Sequence, residues 1–221
     1  MSDSVNGNPA ANRIIPFPKS KTAKPLRNKT AYQLKITLNG SHPPIWRRVL
    51  VPSGITFYRL HRIIQTLFDW QECHLFEFSF SDATVSLPQE DDFSLPGSKP
   101  SKNAKRVKID RLLSEEPHFL YTYDFGDNWE HTVELETVLE WEPKAVCPTC
   151  TAGERHAPLE DIGGMGGYEN FLKAISDPQD PMHEDMLEWS GGTENDPGFD
   201  PEEFDINQIN GMLYDLSLIH I

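Results

Sequence analysis

The residues best suited to chemistry lie at 121–131, where two strand-like runs flank a Gly-Asp-Asn turn. A carboxylate (Asp124), an indole (Trp129) and an imidazole (His131) would meet at the mouth of this predicted hairpin. Such a group could bind a ligand or transfer protons. We favour a simpler interpretation, a hydrogen-bonded buried turn, because buried polar groups normally satisfy one another.

A second polar segment follows at residues 153–168. Glu160 and Asp161 could hold a metal ion or act as acid and base, or they could bind Arg155 or cap the next helix, and we prefer the cap. The glycine run 163–167 matches neither a Walker nor a dinucleotide fingerprint and predicts a close-packed turn. The two segments together give one candidate binding site: Tyr123, Asp124, Asp127, Trp129, His131, Arg155, Glu160, Asp161, Gly163 and Gly164.

Three side chains have spacing compatible with zinc. Cys147, Cys150 and His156 form a C-x2-C-x5-H pattern, and Asp161 or the distant His74 could supply a fourth ligand. A second Cys-x-x-Cys, which would strengthen the signal, is absent from the sequence. We therefore favour reduced thiols in an ordered loop over structural zinc. A thioredoxin-like redox role is weaker still, because the motif lies in a Pro/Gly-rich loop.

The acidic and imidazole groups also permit a metal-dependent hydrolase or nuclease. Its candidate residues are Asp124, Asp127, His131, Glu160 and Asp161. Hydrolysis would require several of them within about 4 to 5 Å of one ion that keeps an open coordination position. The sequence supplies the residue types without showing that they converge, so we favour a non-enzymatic binding or interaction module and keep the hydrolase as the alternative.

Charge is distributed unevenly along the chain, whose net charge is -14. Residues 1–110 carry 16 Lys/Arg and 9 Asp/Glu, whereas residues 111–221 carry 4 and 25. The first half could present a basic face to nucleic acid, with Arg47 and Arg48 as possible anion contacts. We prefer mutual attraction or solvation of the two halves, and a protein partner over a nucleic acid.

Composition limits the remaining possibilities. A chain of 221 residues suits one domain with a substantial core. We expect a cytoplasmic protein without a membrane partner, because Met1 begins no signal pattern and no apolar run approaches the roughly 18 residues of a membrane span. Three cysteines fit a reducing compartment.

Hydrophobic patterning predicts the elements that carry these residues. Alternation predicts strands at 32–38, 45–51 and 73–80, and a hairpin formed by 119–123 and 129–136. Thr56 is the predicted N-cap of a helix with an apolar stripe that runs to Trp70. Residues 88–106 are expected to form a long polar loop, and 107–113 a short strand or helical turn. Short connections favour antiparallel pairing.

We therefore expect an α+β fold: a mostly antiparallel, roll-like sheet with one main packing helix and short C-terminal helices. Residues 1–30 are predicted to be a flexible arm, and 31–215 a single domain. Within it, 141–167 is a Cys/Gly-rich loop and 168–215 an acidic helical part, whose third helix is predicted to open at Asp200. The codons expected for residues 216–221 match a sequencing-library adapter, so we predict a non-native tail after Asp215.

Several motifs follow one another in order over about residues 31–210. They are Tyr32-Gln-Leu-Lys-Ile, Pro44-Ile-Trp-Arg-Arg-Val49, Leu60-His61, His74-Leu75, Tyr123-Asp-Phe-Gly-Asp127 with Trp129 and His131, Gly153-Glu-Arg155, Glu160-Asp161 with Gly163-Gly164, Gly167-Tyr168, and Phe199-Asp-Pro201 with Phe204-Asp205. Together they resemble the plasmid pRiA4b ORF-3-like family. The resemblance implies an α+β domain of unknown activity, often found on mobile genetic elements.

One departure from the family pattern concerns metal binding. The family has Pro-Pro-Glu-Asp, often with cysteines before and after it, where this chain has His156-Ala-Pro-Leu-Glu-Asp-Ile162. Histidine at 156 would preserve a ligand, but isoleucine at 162 would not. A metal site common to the family is therefore not expected to be complete here.

Overall fold

A mostly antiparallel sheet forms the centre of the protein. We describe it from a computed structural model that covers residues 14–15, 30–88, 99–140, 147–193 and 198–218. The strands of these residues are β1 (Ile14–Ile15), β2 (Thr30–Leu38), β3 (Trp46–Pro52), β4 (Phe76–Ser79), β5 (Thr84–Ser86), β6 (Ser101–Asn103), β7 (His118–Tyr123), β8 (Trp129–Glu140) and β9 (Thr149–Glu154). The helices are α1 (Phe57–Leu67), α2 (Asp110–Leu113), α3 (Gly164–Ser176), α4 (His183–Trp189) and α5 (Ile206–Leu218).

The strand order across the sheet is β6-β5-β4-β7-β8-β2-β3-β9, and β1 pairs with β8. Every pairing between these strands is antiparallel except that of β5 with β6. The predicted α+β fold class is thereby confirmed. The predicted hairpin is β7–β8, in which Tyr123 pairs with Trp129 and Tyr121 with His131.

Helix α1 covers one face of the sheet, as its apolar stripe predicts. The predicted cap is present, because the Thr56 hydroxyl accepts a hydrogen bond from the Arg59 backbone N–H at 3.2 Å. The helix's own residues Leu60, Ile63 and Ile64 are fully buried. The helix ends close to the β7–β8 hairpin, which places the following residues beside the predicted site.

Two boundaries of the C-terminal half were predicted incorrectly. The Cys/Gly-rich segment 141–167 contains strand β9, which pairs with β3, so Cys150 lies in a strand. Residues 141–146 of that segment lie outside the described residues. Helix α5 begins at Ile206 rather than Asp200, because Asp205 accepts hydrogen bonds from the N–H groups of the second and third helical residues.

The chain ends are described only in part. Ile14 and Ile15 pair with Leu139 and Val138, so this piece of the predicted flexible arm is ordered, and residues 1–13 and 16–29 lie outside the description. The first three residues of the predicted non-native tail continue α5, and the origin of that tail stays a prediction. Among the described residues, no helix has the length and apolar character needed to cross a membrane.

Candidate functional site

Three separate segments meet at one end of the sheet. They are the connection from α1 to β4 (residues 70–75), the β7–β8 turn (124–128) and the loop that precedes α3 (158–163). The Trp70 indole N–H ties the first segment to the third by donating to the Pro158 carbonyl at 2.9 Å. The structure thus brings the predicted hairpin and the predicted carboxylate loop together.

A tyrosine and a glutamate fix the spacing between these segments. The Tyr123 hydroxyl donates to Oε1 of Glu160 at 2.6 Å and accepts from the backbone N–H groups of Cys73 and His74 at 3.0 and 3.3 Å. Oε2 of Glu160 accepts from the Gln71 N–H at 2.9 Å. Burial and the adjacent Glu160 carboxylate both raise the pKa of Tyr123, so the hydroxyl keeps its proton and holds this carboxylate in place.

The hairpin turn contacts the loop directly. Oδ2 of Asp127 accepts a hydrogen bond from the Gly163 N–H at 3.0 Å. Gly164, at φ +68°, lies so close to Asp127 that a Cβ would collide with its carbonyl oxygen. Only glycine permits both this backbone conformation and this approach.

A histidine and two aspartates converge beside these contacts. Nε2 of His74 lies 3.0 Å from Oδ1 of Asp161 and 3.7 Å from Oδ2 of Asp124. Within the described part of the chain, this is the one group of three or more His, Cys, Asp or Glu ligand atoms that lie within 4.8 Å of one another. Nε2 is shielded from solvent and makes no hydrogen bond of suitable geometry. We call this group the His–Asp–Asp cluster.

Local backbone geometry aims both aspartates at the histidine. Asp124 and Asp161 have φ values of 52° and 59°, in the left-handed region that aspartate tolerates better than most residues. Asp124 also bonds to the Gly126 N–H through Oδ1 at 2.9 Å, which leaves Oδ2 turned to His74. The Asp161 side chain is 73% exposed, so the cluster is open to solvent on that side.

Comparison with known proteins identifies the family. Residues 30–208 match the family described as plasmid pRiA4b ORF-3-like protein. This chain is a member of that family. An uncharacterized protein, y4hQ, of Sinorhizobium fredii is 34% identical over 187 residues, which cover 84% of this chain and 91% of y4hQ.

A solved structure supports the same assignment. The pRiA4b ORF-3-like chain is similar to MM3350 from Methanosarcina mazei Go1, a protein of unknown function, with 36% identity and a TM-score of 0.71. The match covers 81% of this chain and 96% of MM3350. The predicted association with mobile genetic elements stays a prediction.

Two predicted site residues of this family member point into the core instead. His131 is fully buried against the rings of Phe68 and Trp70, and its Nδ1 lies 3.1 Å from the Trp129 carbonyl oxygen. Burial lowers the pKa of His131 to about 4. Trp129 is buried as well, so neither side chain joins the His–Asp–Asp cluster. The alternation of β8 directs both toward α1.

Arg155 also lies apart from the carboxylate loop. Its Nε bonds Glu202 at 2.9 Å, and Nη1 donates to the Pro43 carbonyl at 3.2 Å. Neither the contact with Arg155 nor the helix cap predicted for Glu160 and Asp161 is observed. Glu160 bonds Tyr123, Asp161 faces His74, and the helix following the loop begins after Gly163 without a side-chain cap.

The predicted zinc ligands are not grouped in the structure. The Cys150 thiol lies against the Ala152 carbonyl at 3.5 Å, and the Cys147 thiol lies against Pro148 at 3.3 Å. Nδ1 of His156 is 2.7 Å from the Ala157 carbonyl oxygen. Cys150 lies in β9, whereas Cys147 precedes that strand and His156 follows it, and the three do not form a ligand set among the described residues.

The two predicted anion contacts have other partners. Arg48 forms a two-point ion pair with Glu136 at 2.6 and 2.7 Å. Arg47 is buried, and burial lowers its pKa to about 10. Its guanidinium lines a cavity of about 140 Å³ that carboxylates also border. It donates only to backbone carbonyls, those of Leu67, Trp46, Glu154 and Arg155.

His74 was underestimated from the sequence, where it was considered only as a distant zinc ligand. The signal that could have found it is strand register. Phe76, two residues after His74, pairs with Tyr123, the residue before Asp124. Correct pairing of those two strands therefore places the imidazole beside that carboxylate.

Proposed function

We propose that this protein is a binding module that holds a divalent cation in the His–Asp–Asp cluster and takes an anionic group of its ligand on that cation. The observation that carries the proposal is the convergence of His74 Nε2 with two carboxylates, within 4.8 Å of one another. Three segments distant in sequence contribute one ligand atom each.

The separations fit a single ion. Ligand atoms that each lie about 2.1 Å from a cation stand roughly 3.0 Å apart in octahedral and roughly 3.4 Å apart in tetrahedral geometry. The His74–Asp161 and His74–Asp124 separations are 3.0 and 3.7 Å. The third separation, between the Asp124 and Asp161 oxygens, lies within 4.8 Å, so closure of the two carboxylates around one ion would complete the site.

The ligand types favour particular metals. One imidazole with two carboxylates suits Mn²⁺, Fe²⁺ or Zn²⁺ better than Mg²⁺, which prefers oxygen ligands and retains its waters. Three protein ligands leave at least one coordination position for solvent or for a ligand oxygen. The exposure of Asp161 keeps that position accessible.

The supporting contacts explain how the site is held ready. Tyr123, Glu160 and Asp127 are engaged in hydrogen bonds between the segments, so they position the cluster rather than bind the ion. Partners of this kind commonly tune metal affinity.

Isothermal titration calorimetry with MnCl₂ tests the proposal. We expect about one Mn²⁺ per chain, and a loss of affinity of at least tenfold in Asp124→Asn and in His74→Gln. Asp82→Asn, a change at an exposed carboxylate elsewhere, is the control and should bind as the unmodified protein does. Absence of binding, or equal binding by all variants, would refute the cation site.

Metal-dependent hydrolysis is the second candidate function. The Glu160 carboxylate, beside the Tyr123 hydroxyl at 2.6 Å, lies next to the cluster and could position a water molecule. Release of nitrophenol from a phosphodiester such as bis(nitrophenyl) phosphate, in the presence of Mn²⁺, tests it. Turnover that Asp124→Asn abolishes would favour hydrolysis, and its absence in a protein that binds Mn²⁺ would leave the binding module.

A further inference from the structure

A group of exposed cations extends from strand β6 into helix α2. We call it the basic ribbon: Lys102, Lys105, Arg106, Lys108 and Arg111, all of which are exposed. No carboxylate of the described residues forms an ion pair with any of them. The ribbon is therefore a positive surface on a chain whose net charge is -14. Local charge of this kind attracts polyanions even when the total charge repels them.

Strand register places the first part of the ribbon, Lys102, Lys105 and Arg106, at the same end of the sheet as the His–Asp–Asp cluster, whereas Lys108 pairs with Thr56 at the start of α1. Asn103 pairs with Ser86, Ser86 with Glu77, and Glu77 with Thr122. Three strand spacings of about 4.8 Å separate Asn103 from Thr122 by roughly 14 Å. Strands β6 and β7 run in the same direction, because β5 and β7 are both antiparallel to β4 and β6 is parallel to β5. The C-terminal ends of β6 and β7 therefore lie at the same end of the sheet, where β6 leads to Lys105 and β7 leads to Asp124.

Side-chain contacts support the same placement. Nζ of Lys105 lies over the Tyr58 ring, 4.9 Å from its centre. The Tyr58 ring is in turn 6.4 Å from the ring of Phe76, which follows His74 by two residues. A short row of aromatic contacts thus connects the ribbon to the cluster.

Exposed apolar side chains flank the cluster. Phe125, next to Asp124, is 56% exposed, and Leu75, next to His74, is 48% exposed. The Asp124 N–H donates to the Leu75 carbonyl at 2.9 Å, which joins these two segments. An exposed ring at the end of the sheet where β6 leads into the ribbon suits unstacked bases, because bases in a duplex are already stacked.

We propose that the basic ribbon and the cation site together bind a single-stranded nucleic acid. Its phosphates contact the ribbon, one further phosphate oxygen binds the cation, and a base stacks on Phe125. The contact with the cation rests on the proposed function above. The ribbon contacts do not, so the two can fail separately.

Fluorescence anisotropy of a labelled DNA strand of about 20 nucleotides tests the proposal on the full chain, in EDTA and in MnCl₂, across a salt series. Lys102→Gln/Arg106→Gln removes two ribbon charges. Lys35→Gln/Lys173→Gln is the control, because it removes two charges outside the ribbon. The ribbon variant should bind the strand roughly 30- to 100-fold more weakly than the unmodified protein at about 50 mM salt. The plot of log association constant against log salt concentration should become less steep by about 1.4, because two phosphate contacts are lost.

A second pair of variants tests stacking. Phe125→Ala should weaken binding by roughly fivefold or more, whereas Tyr214→Ala should not, although Tyr214 is exposed to the same extent, 56%. Mn²⁺ should strengthen binding by the unmodified protein and not by Asp124→Asn.

Four outcomes would overturn the proposal: no binding of the strand, equal loss in the ribbon and control variants, tighter binding of a duplex of the same length, or Mn²⁺ that binds the protein without strengthening DNA binding. If calorimetry shows no bound Mn²⁺ while the strand still binds through the ribbon, the cation site fails and the ribbon contacts stand.

Discussion

Acid should destabilise this protein through a buried histidine. His131 is fully enclosed, and burial lowers its pKa to about 4 in the folded chain. In the unfolded chain the imidazole takes up a proton as the pH falls below about 6.5, so the unfolded state gains stability that the folded state does not. The contribution of neutral His131 is therefore complete above pH about 6.5 and is lost as the pH falls toward 4.

The size of the effect follows from the difference between the two pKa values. At about 1.36 kcal/mol per pH unit, the interval from 6.5 to about 4 corresponds to roughly 3 kcal/mol of unfolding free energy. His61, stacked on Phe76 and 2.8 Å from the Tyr121 hydroxyl, behaves in the same way, because burial lowers its pKa to about 3. The two histidines together make unfolding strongly pH-dependent.

Urea unfolding followed by tryptophan fluorescence measures this dependence. Between pH about 6.5 and 4.5, the unmodified protein should lose roughly 2 kcal/mol more stability than His131→Phe, which cannot take up the proton. Phe119→Leu, a buried change without a titrating group, is the control and should keep the full pH dependence. Parallel curves for the unmodified protein and His131→Phe would refute the reasoning.

Three further predictions concern the framework of the site, each read as the free energy of urea unfolding. Tyr123→Phe should cost about 1 to 3 kcal/mol, because it removes the hydroxyl that bonds Oε1 of Glu160 and two backbone N–H groups; a cost equal to that of Tyr214→Phe would contradict this. Gly164→Ala should cost more than about 2 kcal/mol, since its Cβ meets the Asp127 carbonyl, whereas Gly166→Ala has open space and should be neutral or stabilising. Arg47→Lys should cost about 2 to 4 kcal/mol, because a lysine ammonium cannot reproduce the four hydrogen bonds of the guanidinium. Arg48→Lys, a change in the adjacent ion pair with Glu136, is the control. An equally small cost for both variants would show that the four bonds contribute little.

The parts of the fold that the sequence predicted are those with strong local patterns. Residues 32–38 alternate between apolar and polar side chains, and the helix after Thr56 has both a cap and an apolar stripe. These signals depend only on neighbouring residues. Strands β2, β3, β4, β7 and β8 and the main helix were therefore predicted within a few residues of their observed bounds. Strand β5 was not predicted, and β6 lies in the segment 88–106 that was predicted to be a loop.

Strand β9 could not be predicted because its signal is not local. Thr149–Glu154 lacks apolar alternation, and the strand exists because it pairs with β3. The amide side chain of Asn210, in α5, bonds both the N–H and the carbonyl of Cys150 and so covers the outer edge. Both partners lie far from β9 in the sequence.

The candidate site was predicted only in part for a similar reason. Asp124 and Asp161 were expected, but their partner is His74 rather than His131. Alternation along β8 turns His131 to the buried face, whereas Asp124 lies beyond the end of β7 in a left-handed conformation. The meeting of three segments depends on strand register, which a single sequence does not specify.

Anomalous diffraction from a crystal grown with MnCl₂ would test the central claim most directly. We predict one strong anomalous peak about 2.1 to 2.3 Å from His74 Nε2 and from one oxygen each of Asp124 and Asp161. The peak should disappear in Asp124→Asn crystals grown under the same conditions. A protein that diffracts well and shows no manganese at this position, or shows it only elsewhere, would contradict the proposal that the His–Asp–Asp cluster binds a cation.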